Sequence, residues 1–349
     1  MLDDDNVLKQ RDPSGALAVA ASQYTQAQFI AEITNEEHDG REIKQVVVAG
    51  MGGSALAAVL AKAWLKSDLK VPFEVVRTYD LPGYVDENTL VIASSYSGNT
   101  EETISGLEEA KKAGAQLAII ASGGRLKEAA LEGGITSIIL PANIQPRMAA
   151  IYNLRALVKI LVHFGVVDQT RFDEIAETAD WLHEQTRQWE SDVTVAKNYA
   201  KQLALLAVGK TPVIYAGSLM FPSAYKWKIS WNENAKNVAF CNELPEFNHN
   251  EFIGWSSHPV EKPFVVFDLV SHLENPRILK RFEVTDRLLS GLRPKAHTIK
   301  LEGDTAIKQH LWASILADFT SIYVAILNGV DPTPVDLVEK LKSELAKAK

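Results

Sequence analysis

Short apolar segments of strand length alternate with longer segments in which apolar residues recur at helical spacing. In the first half of the chain, apolar and often β-branched runs occur at residues 44–50, 73–76, 90–93, 116–121 and 135–140. Helical patterns follow four of these runs, at residues 53–65, 99–113, 125–131 and 146–164. Continuous apolar strands separated by helices predict a parallel sheet that is covered by helices on both faces.

The second half of the chain repeats this pattern after a polar interval. Residues 166–203 are polar and periodic, which predicts one or two helices that join the two halves. In each half, the first strand is followed by glycine and serine, from Gly50 to Ser54 and at Gly217-Ser218, which indicates a duplicated fold. Further strands are predicted at residues 211–216, 263–269 and 297–301, and closing helices at residues 306–328 and 333–348.

These elements predict an α/β protein made of two αβα sandwich units, each with a mainly parallel sheet flanked by helices. The length of 349 residues fits two units, since a domain has roughly 150 residues. We expect an N-terminal extension at residues 1–40, a first unit at 41–165, a helical connector at 166–203, and a second unit with a C-terminal helix at 204–349.

Composition and charge narrow the possible partners. The chain is 46% hydrophobic and 23% charged, and its formal net charge of −8 argues against non-specific nucleic-acid binding, which needs basic surface. Its start lacks the features of a signal peptide, and no stretch approaches the roughly 18 apolar residues of a membrane span. Cys241 is the single cysteine, so no intrachain disulfide can form. We expect a cytoplasmic protein without nucleic-acid or membrane partners.

The sequence shows no compact metal-binding motif. Its eight histidines are scattered, and no HxH, HxxH, HExxH or CxxC pattern occurs. A metal site would have to be assembled from residues far apart in the chain. We therefore expect neither a metal ion nor a cofactor.

The turn after the first long strand has the composition of an anion site. Gly50-Met51-Gly52-Gly53-Ser54 joins this strand to a predicted helix, where glycines let the backbone approach a ligand and the helix N-terminus offers free amides. The same residues fit the GxGxxA dinucleotide fingerprint, for which Glu74 or Asp80 could serve as the ribose-binding acid. Taken alone, this turn is as compatible with tight packing of the helix on the sheet as it is with phosphate binding.

The next turn on the same predicted sheet favours a sugar phosphate over a dinucleotide. Ser95, Ser97 and Thr100 stand between a strand and a helix, with Asn99 and Glu102 placed as a capping pair. A helix cap needs one such residue, whereas these three hydroxyls can converge on one anion. A dinucleotide fold has no need for them at this turn.

Arg147 follows Pro146 at the start of a predicted helix. Proline is common at this position, but the helix dipole disfavours a cation there. A surface ion pair would explain this arginine simply. The functional interpretation is a cation that faces negative charge developing on a substrate.

The densest polar and aromatic cluster contains Glu233 and His249. Glu233 lies between Asn232 and Asn234, and His249 also has an asparagine on each side. A single Glu or His is usually a solvated or structural residue. Flanking asparagines are unusual in a core and can orient a titrating group by hydrogen bonds.

The segment from Ser95 to Glu101 resembles the serine/threonine loop of the sugar isomerase (SIS) fold, which binds phosphosugars. The chain resembles more closely the bifunctional phosphoglucose/phosphomannose isomerases, over residues 45–345. The motifs that carry this resemblance are Gly50-Met51-Gly52-Gly53-Ser54, Ser95 to Glu102, Gln145-Pro146-Arg147, Asn232-Glu233-Asn234, Asn248-His249-Asn250-Glu251 and the segment from Gly329 to Val335.

The resemblance implies two SIS units, no metal or cofactor, and a role for each motif. Glu233 would be the catalytic base, Arg147 would face the enediolate, and His249 and Lys340 would open the sugar ring. Thr333 would lie beside C2 of the sugar. These groups match what aldose–ketose isomerisation requires: a base, a group for ring opening and a fixed cation. The residues expected to hold the phosphate and part of the sugar are Gly52, Gly53, Ser54, Ser95, Ser97 and Thr100.

The resemblance also implies a homodimer, because related sites take their histidine from the partner subunit. The expected reaction interconverts glucose 6-phosphate or mannose 6-phosphate with fructose 6-phosphate. The alternatives are another SIS enzyme, such as an aminosugar-phosphate isomerase, a non-catalytic phosphosugar-sensing regulator, and a dinucleotide-dependent dehydrogenase. Residues 1–42 are too short and too acidic for the DNA-binding segment of such a regulator.

Overall fold

The first half of the chain folds around one predominantly parallel sheet. The computed structural model describes residues 1–257, 261–345 and 347. Its first sheet contains β1 (Ile33–Thr34), β2 (Gln45–Gly50), β3 (Phe73–Val76), β4 (Thr89–Ser94), β5 (Gln116–Ala121) and β6 (Thr136–Ile139). The strand order is β1-β6-β5-β4-β2-β3, and all neighbours are parallel except β1, which is antiparallel to β6. The five strands predicted here are confirmed.

The second sheet is fully parallel, with the strand order β10-β9-β7-β8. Its strands are β7 (Thr211–Gly217), β8 (Phe240–Leu244), β9 (Phe264–Val270) and β10 (His297–Lys300). Strand β8 was not predicted from the sequence. This strand lies at the edge of the sheet and pairs only with β7, so that most of its residues stay partly exposed and include polar side chains.

Helices cover both sheets and fill the space between them. They are α1 (Asp5–Arg11), α2 (Ala16–Ser22), α3 (Gly52–Trp64), α4 (Glu101–Lys112), α5 (Gly124–Gly133), α6 (Ala150–His163), α7 (Gln169–Glu177), α8 (Ala179–Arg187), α9 (Tyr199–Ala207), α10 (Phe221–Glu233), α11 (Glu251–Gly254), α12 (Pro276–Leu288), α13 (Ala306–Asn328) and α14 (Asp336–Leu345). Short 3-10 turns occur at Gln23–Gln28, Pro146–Met148 and Glu246–His249.

Three predicted helices differ from the observed ones. The helix predicted at residues 146–164 begins as the 3-10 turn Pro146–Met148 and becomes α-helical only at Ala150. The interval 166–203 contains α7, α8 and the start of α9. The last helix begins at Asp336 and not at residue 333, because the residue before Pro334 is disfavoured in helical geometry. Its predicted end at residue 348 lies outside the described residues.

Helix α13 is the centre of the molecule and has the bounds that the sequence predicted. It packs against α9 and α10, and one hydrophobic cluster continues through it between the two units. By length and mean hydropathy α13 could cross a membrane, which corrects the expectation that no stretch would qualify. Of its most apolar window, 94% is buried inside the protein, as in a core helix.

Residues 1–40, predicted as an extension, are built into this core. Strand β1 adds to the first sheet, and α2 packs against α13. The Gln23 amide donates to Asp318 on α13 at 2.9 Å, and the Gln26 amide donates to the carbonyl of Met148 at 2.8 Å. The boundaries of the two units at residues 40, 165 and 203 stay a prediction.

The strand order places two turns side by side. Strands β2 and β4 are neighbours, and from them the chain proceeds in opposite directions, to β3 and to β5. Their carboxyl ends are level, with Gly50 paired to Ser94. Ligands of open α/β sheets bind at such a switch point, where the turns after the two strands diverge and leave a crevice.

Candidate functional site

The glycine-rich turn and the hydroxyl-rich turn are in direct contact at this crevice. A Cβ on Gly50 would lie 2.7 Å from the carbonyl oxygen of Ser94, so only glycine fits. The buried hydroxyl of Ser54 accepts a hydrogen bond from the backbone amide of Tyr96 at 3.1 Å. Ser54 therefore links the two turns to each other.

The hydroxyls of Ser95, Ser97 and Thr100 converge, as their spacing predicted. Ser95 Oγ lies 2.7 Å from Thr100 Oγ1 and 3.5 Å from Ser97 Oγ, and Ser97 is exposed. The predicted capping pair of Asn99 and Glu102 is wrong. Thr100 is the N-cap residue of α4, but its side chain accepts no hydrogen bond from the amides of that helix. Asn99 Oδ1 accepts instead from the backbone amide of Arg125 at 3.1 Å. The first turn of α4 is therefore open beside the hydroxyl cluster.

The glycine-rich turn also contacts the segment that carries Arg147. A Cβ on Gly53 would lie 2.7 Å from the carbonyl oxygen of Pro146. Any larger residue at Gly53 would displace this segment. Because Gly53 has no side chain, the segment that carries Arg147 can lie against the glycine-rich turn. Arg147 and the hydroxyls of Ser95, Ser97 and Thr100 are therefore in neighbouring parts of one site.

Arg147 is buried, and each nitrogen of its guanidinium has a partner. Its Nε donates to Asn234 Oδ1 at 2.5 Å, and Nη1 lies 3.3 Å from a carboxylate oxygen of Glu233. Nη2 donates to the carbonyl oxygens of Pro332 and Thr333 at 2.8 and 2.9 Å. Burial lowers the pKa of Arg147, while the carboxylates of Glu233 and Asp318 oppose this shift. The alternative of a surface ion pair is therefore excluded, because this arginine joins three chain segments in the interior.

Glu233 is the last residue of α10, and its side chain is 33% exposed beside the buried guanidinium. The two asparagines that flank Glu233 form hydrogen bonds with neighbouring residues and not with its carboxylate. Asn234 binds Arg147, and Asn232 Oδ1 accepts from the amide of Ala239 at 3.1 Å. The carboxylate thus faces both the guanidinium and solvent, as a group that exchanges protons with a ligand needs to.

Thr333 lies at the same site, on the segment that precedes α14. Its carbonyl accepts from Arg147, and its amide donates to Asp331 Oδ1 at 2.9 Å. Since α14 begins only at Asp336, Thr333 does not cap that helix. The side chain of Thr333 is left partly exposed and free of a capping role.

Lys236, for which the sequence predicted no role, also contacts this group. Its Nζ donates to the carbonyl oxygens of Glu233 and Pro332 at 2.5 and 3.1 Å. Burial and the nearby Arg147 charge lower the pKa of Lys236. Its backbone has φ of 54°, which a non-glycine residue adopts only under constraint. No sequence pattern marks this conformation, so the lysine could not be singled out.

His249 and Lys340 are both exposed. His249 is the last residue of the 3-10 turn after β8, and Lys340 is on the exposed helix α14. Within the described part of the chain, no hydrogen bond or ion pair joins either residue to Glu233 or Arg147. The segment of His249 is nevertheless anchored: Glu251 accepts from Tyr215 Oη and, at 2.7 Å, from the amide of Asn242.

The corresponding turn of the second unit is already filled by a carboxylate of the chain. Glu274 is buried against the turn after β7, and its Oε1 accepts from the amide of Met220 at 3.2 Å. A Cβ on Gly217 would lie 2.2 Å from the same oxygen. Burial raises the pKa of Glu274, which the amides of Met220 and Leu219 oppose. The duplicated turn therefore offers no open anion cradle.

No group of three or more His, Cys, Asp or Glu side chains among the described residues could hold a metal ion.

The dinucleotide alternative required Glu74 or Asp80 to bind a ribose. The carboxylate of Glu74 binds Tyr84 Oη on the exposed side of β3, and Asp80 is exposed. The chemistry of the site is thus that of hydroxyls and amides next to one arginine–carboxylate pair.

Comparison with known sequences assigns both halves. Residues 41–145 match the SIS domain, and residues 196–345 match the bacterial phospho-glucose isomerase C-terminal SIS domain. The two αβα units are therefore SIS domains, as the serine/threonine loop predicted. A glucose-6-phosphate isomerase like protein from Thermus thermophilus has the same fold, with a TM-score of 0.66 and 17% identity over 98% of both chains.

Two curated relatives are similar in sequence. The D-glucosamine-6-phosphate 4-epimerase of Sulfolobus acidocaldarius is 34% identical over 61% of this chain and 65% of its own. The bifunctional phosphoglucose/phosphomannose isomerase of Caldicellulosiruptor bescii is 37% identical over 88% of this chain and 91% of its own. With that identity over nearly the whole length, the chain belongs to the family of bifunctional phosphoglucose/phosphomannose isomerases.

Proposed function

We propose that this protein interconverts glucose 6-phosphate and mannose 6-phosphate with fructose 6-phosphate. The observation that carries the proposal is the ion pair between the buried Arg147 and the partly exposed Glu233, in the same site as the converging hydroxyls of Ser95, Ser97 and Thr100. A phosphate held at the hydroxyls would leave the sugar chain to extend towards the carboxylate. Family membership supports the same reaction.

The phosphate is held by the two turns of the first unit. Ser95, Ser97 and Thr100 donate their hydroxyls to it, and the open first turn of α4 adds backbone amides. Gly52 and Gly53 let the backbone approach closely, and Ser54 keeps the turns together. A dianion at this place satisfies the donors of the helix terminus and gains from its dipole.

Glu233 moves the proton between the two carbons. Its carboxylate takes the proton from C2 of the open-chain aldose, the electron pair of that bond forms the C1–C2 double bond, and the electrons of the C1 carbonyl move to O1, which gives a cis-enediolate. A proton then passes from the C2 hydroxyl to O1, and return of the first proton from Glu233 to C1 leaves the C2 carbonyl of the ketose. Arg147 faces the oxygen that becomes negative, and it is held in place before the charge appears.

His249 and Lys340 open the sugar ring, and we infer that a partner subunit brings His249 to Glu233. Both residues are exposed, and among the described residues neither makes a hydrogen bond or ion pair to Glu233 or Arg147 of its own chain. Helix α14 presents an apolar face to solvent, including Leu337 at 84% and Leu341 at 59% exposure. A homodimer would cover this face and complete each site.

The reaction as proposed needs neither a metal nor a cofactor, and the free Cys241 fits a reducing cytoplasm. The deciding experiment is a coupled assay of the purified protein with glucose 6-phosphate, mannose 6-phosphate and glucosamine 6-phosphate, with and without EDTA. Turnover of the first two substrates, insensitive to EDTA, supports the proposal. Turnover of the aminosugar phosphate alone would assign the chain to a different phosphosugar reaction.

Replacement of Glu233 by Gln is expected to lower kcat by about 10²- to 10⁴-fold, because the shape is retained and the base is lost. KM should change little, since the phosphate contacts remain. Glu243→Gln, which alters a partly buried carboxylate on β8, is the control and should retain activity. Turnover of Glu233→Gln near that of the unaltered protein would remove this residue from the mechanism.

Ser97→Ala and Thr100→Ala each remove one neutral donor to the phosphate dianion. A hydrogen bond to a charged group contributes roughly 1.5–3 kcal/mol, so KM should rise about 10- to 150-fold for all three 6-phosphosugars alike. Thr103→Val is the matched control, because Thr103 is buried further along α4 and points its hydroxyl at no partner among the described residues. An unchanged KM in both alanine variants would contradict phosphate binding here.

Mixing two inactive variants tests whether sites are shared between subunits. Each heterodimer of Glu233→Gln and His249→Ala would contain one site with both residues intact. At equal mixing and free exchange, about a quarter of the full activity should return. No recovery after exchange is verified by mass measurement would mean that each site is built within one chain.

Thr333→Gln is expected to slow mannose 6-phosphate more than glucose 6-phosphate. The two epimers share one planar enediol, so an enzyme that uses both needs room beside C2, which a glutamine would fill. Discrimination by pocket shape changes the activity ratio by roughly 10- to 200-fold. Thr333→Ser, which keeps the hydroxyl, should preserve the ratio. Equal loss of both activities, with a lower Tm, would leave Thr333 only a structural role.

A further inference from the structure

A buried ion pair lies directly behind Arg147 and outside the site itself. Lys226 on α10 and Asp318 on α13 are both fully buried, and Lys226 Nζ lies 2.6 Å from Asp318 Oδ1. The same oxygen accepts from Ser230 Oγ at 2.7 Å, and the other oxygen accepts from the Gln23 amide at 2.9 Å. Hydrogen bonds from α10 and from the 3-10 turn Gln23–Gln28 therefore fix the position of this carboxylate.

The Asp318 carboxylate sets the orientation of the side-chain amide of Asn234. Asn234 Nδ2 faces Asp318 Oδ1 at 3.4 Å and Ser321 Oγ at 2.9 Å, which leaves Asn234 Oδ1 to accept from Arg147 Nε at 2.5 Å. An ionised carboxylate only accepts hydrogen bonds, so the amide nitrogen must face it. The reverse orientation would set an NH₂ group against the guanidinium.

Lys226 holds the backbone of the same arginine. Its Nζ donates to the carbonyl oxygen of Arg147 at 2.8 Å as well as to Asp318. The ion pair thus fixes Arg147 twice, at the main chain through Lys226 and at the guanidinium through Asp318 and Asn234. Buried ion pairs contribute little net stability compared with apolar residues of similar volume, so another role is needed to explain this one.

We propose that Lys226 and Asp318 are positioning residues, which set the orientation of the Arg147 guanidinium before negative charge develops on the substrate. The inference rests on the proposed function, in which Arg147 stabilises the enediolate. A cation already oriented in a buried site stabilises charge without reorganisation in the reaction step. Neither residue touches the substrate; both act through Asn234 and the backbone of Arg147.

The test replaces both charges at once, because removal of one would leave the other buried and unpaired. The variant is Lys226→Met with Asp318→Leu. Its matched control is Arg293→Met with Asp268→Leu, since Asp268 and Arg293 form the other buried acid–base contact, at 3.9 Å in the second unit. The positioning variant should lose about 10- to 150-fold in kcat with KM nearly unchanged, and the control should keep its kcat.

Inhibitor binding separates positioning from loss of structure. 5-Phosphoarabinonate carries a carboxylate that mimics the enediolate, whereas glucitol 6-phosphate has the same phosphate and no such charge. The positioning variant should bind 5-phosphoarabinonate more weakly by the same factor as its loss in kcat, and glucitol 6-phosphate as before. Equal weakening of both inhibitors, or of neither, would overturn the inference.

Two further variants keep the outcomes distinct. If the double variant fails to fold, Ser321→Ala removes only one acceptor of the Asn234 amide, and it should show the same selective weakening to a smaller degree. Arg147→Met tests the proposed function itself. If Arg147→Met leaves binding of 5-phosphoarabinonate unchanged, the proposed function fails; if it weakens binding and the pair variants do not, only the positioning role fails.

Discussion

A buried guanidinium cannot leave its hydrogen-bond donors unpaired, and this constraint organises the whole site. Arg147 has five N–H groups to satisfy in a region that solvent barely reaches. The partners come from Asn234 and Glu233 at the end of α10 and from the carbonyls of Pro332 and Thr333. Segments nearly 190 residues apart in the chain therefore meet at this one side chain. The hydrogen bonds of Arg147 fix the position of these segments of the two SIS domains relative to each other.

The parallel sheet supplies the other half of this geometry. Because β2 and β4 end level with each other, the turns that follow them are adjacent, and the hydrogen bond between Ser54 and Tyr96 links them. Close approach at Gly53 then links the turns to Pro146 and so to Arg147. In the proposed function, the first domain supplies most of the binding residues and the second domain supplies the proton-transfer residues, and the buried Arg147 connects the two.

Much of the fold and part of the site could be predicted because they depend on local patterns. Apolar runs specify buried strands, and serine and threonine spacing specifies the hydroxyl cluster. Features that depend on tertiary context were missed: the edge strand β8, the left-handed backbone of Lys236, and the packing of residues 1–40 against α13. The bond that keeps Asn99 from capping α4 comes from Arg125, which no local pattern relates to it. The roles of His249 and Lys340 remain predictions, and that of His249 rests on the proposed second subunit.

The carboxylate of Glu274 in the second domain makes the two halves of the duplication complementary. A turn that leads into a helix N-terminus has a positive electrostatic potential. This potential can be balanced by a carboxylate of the chain itself or by an anion bound from solution. In the second domain a carboxylate of the chain itself pairs with the amide at this turn, so the turn has a partner in the absence of any ligand. In the first domain we propose that a phosphate from solution occupies the corresponding region. The two related domains would thus differ in function at this turn: one binds a ligand, and the other is completed by its own side chain.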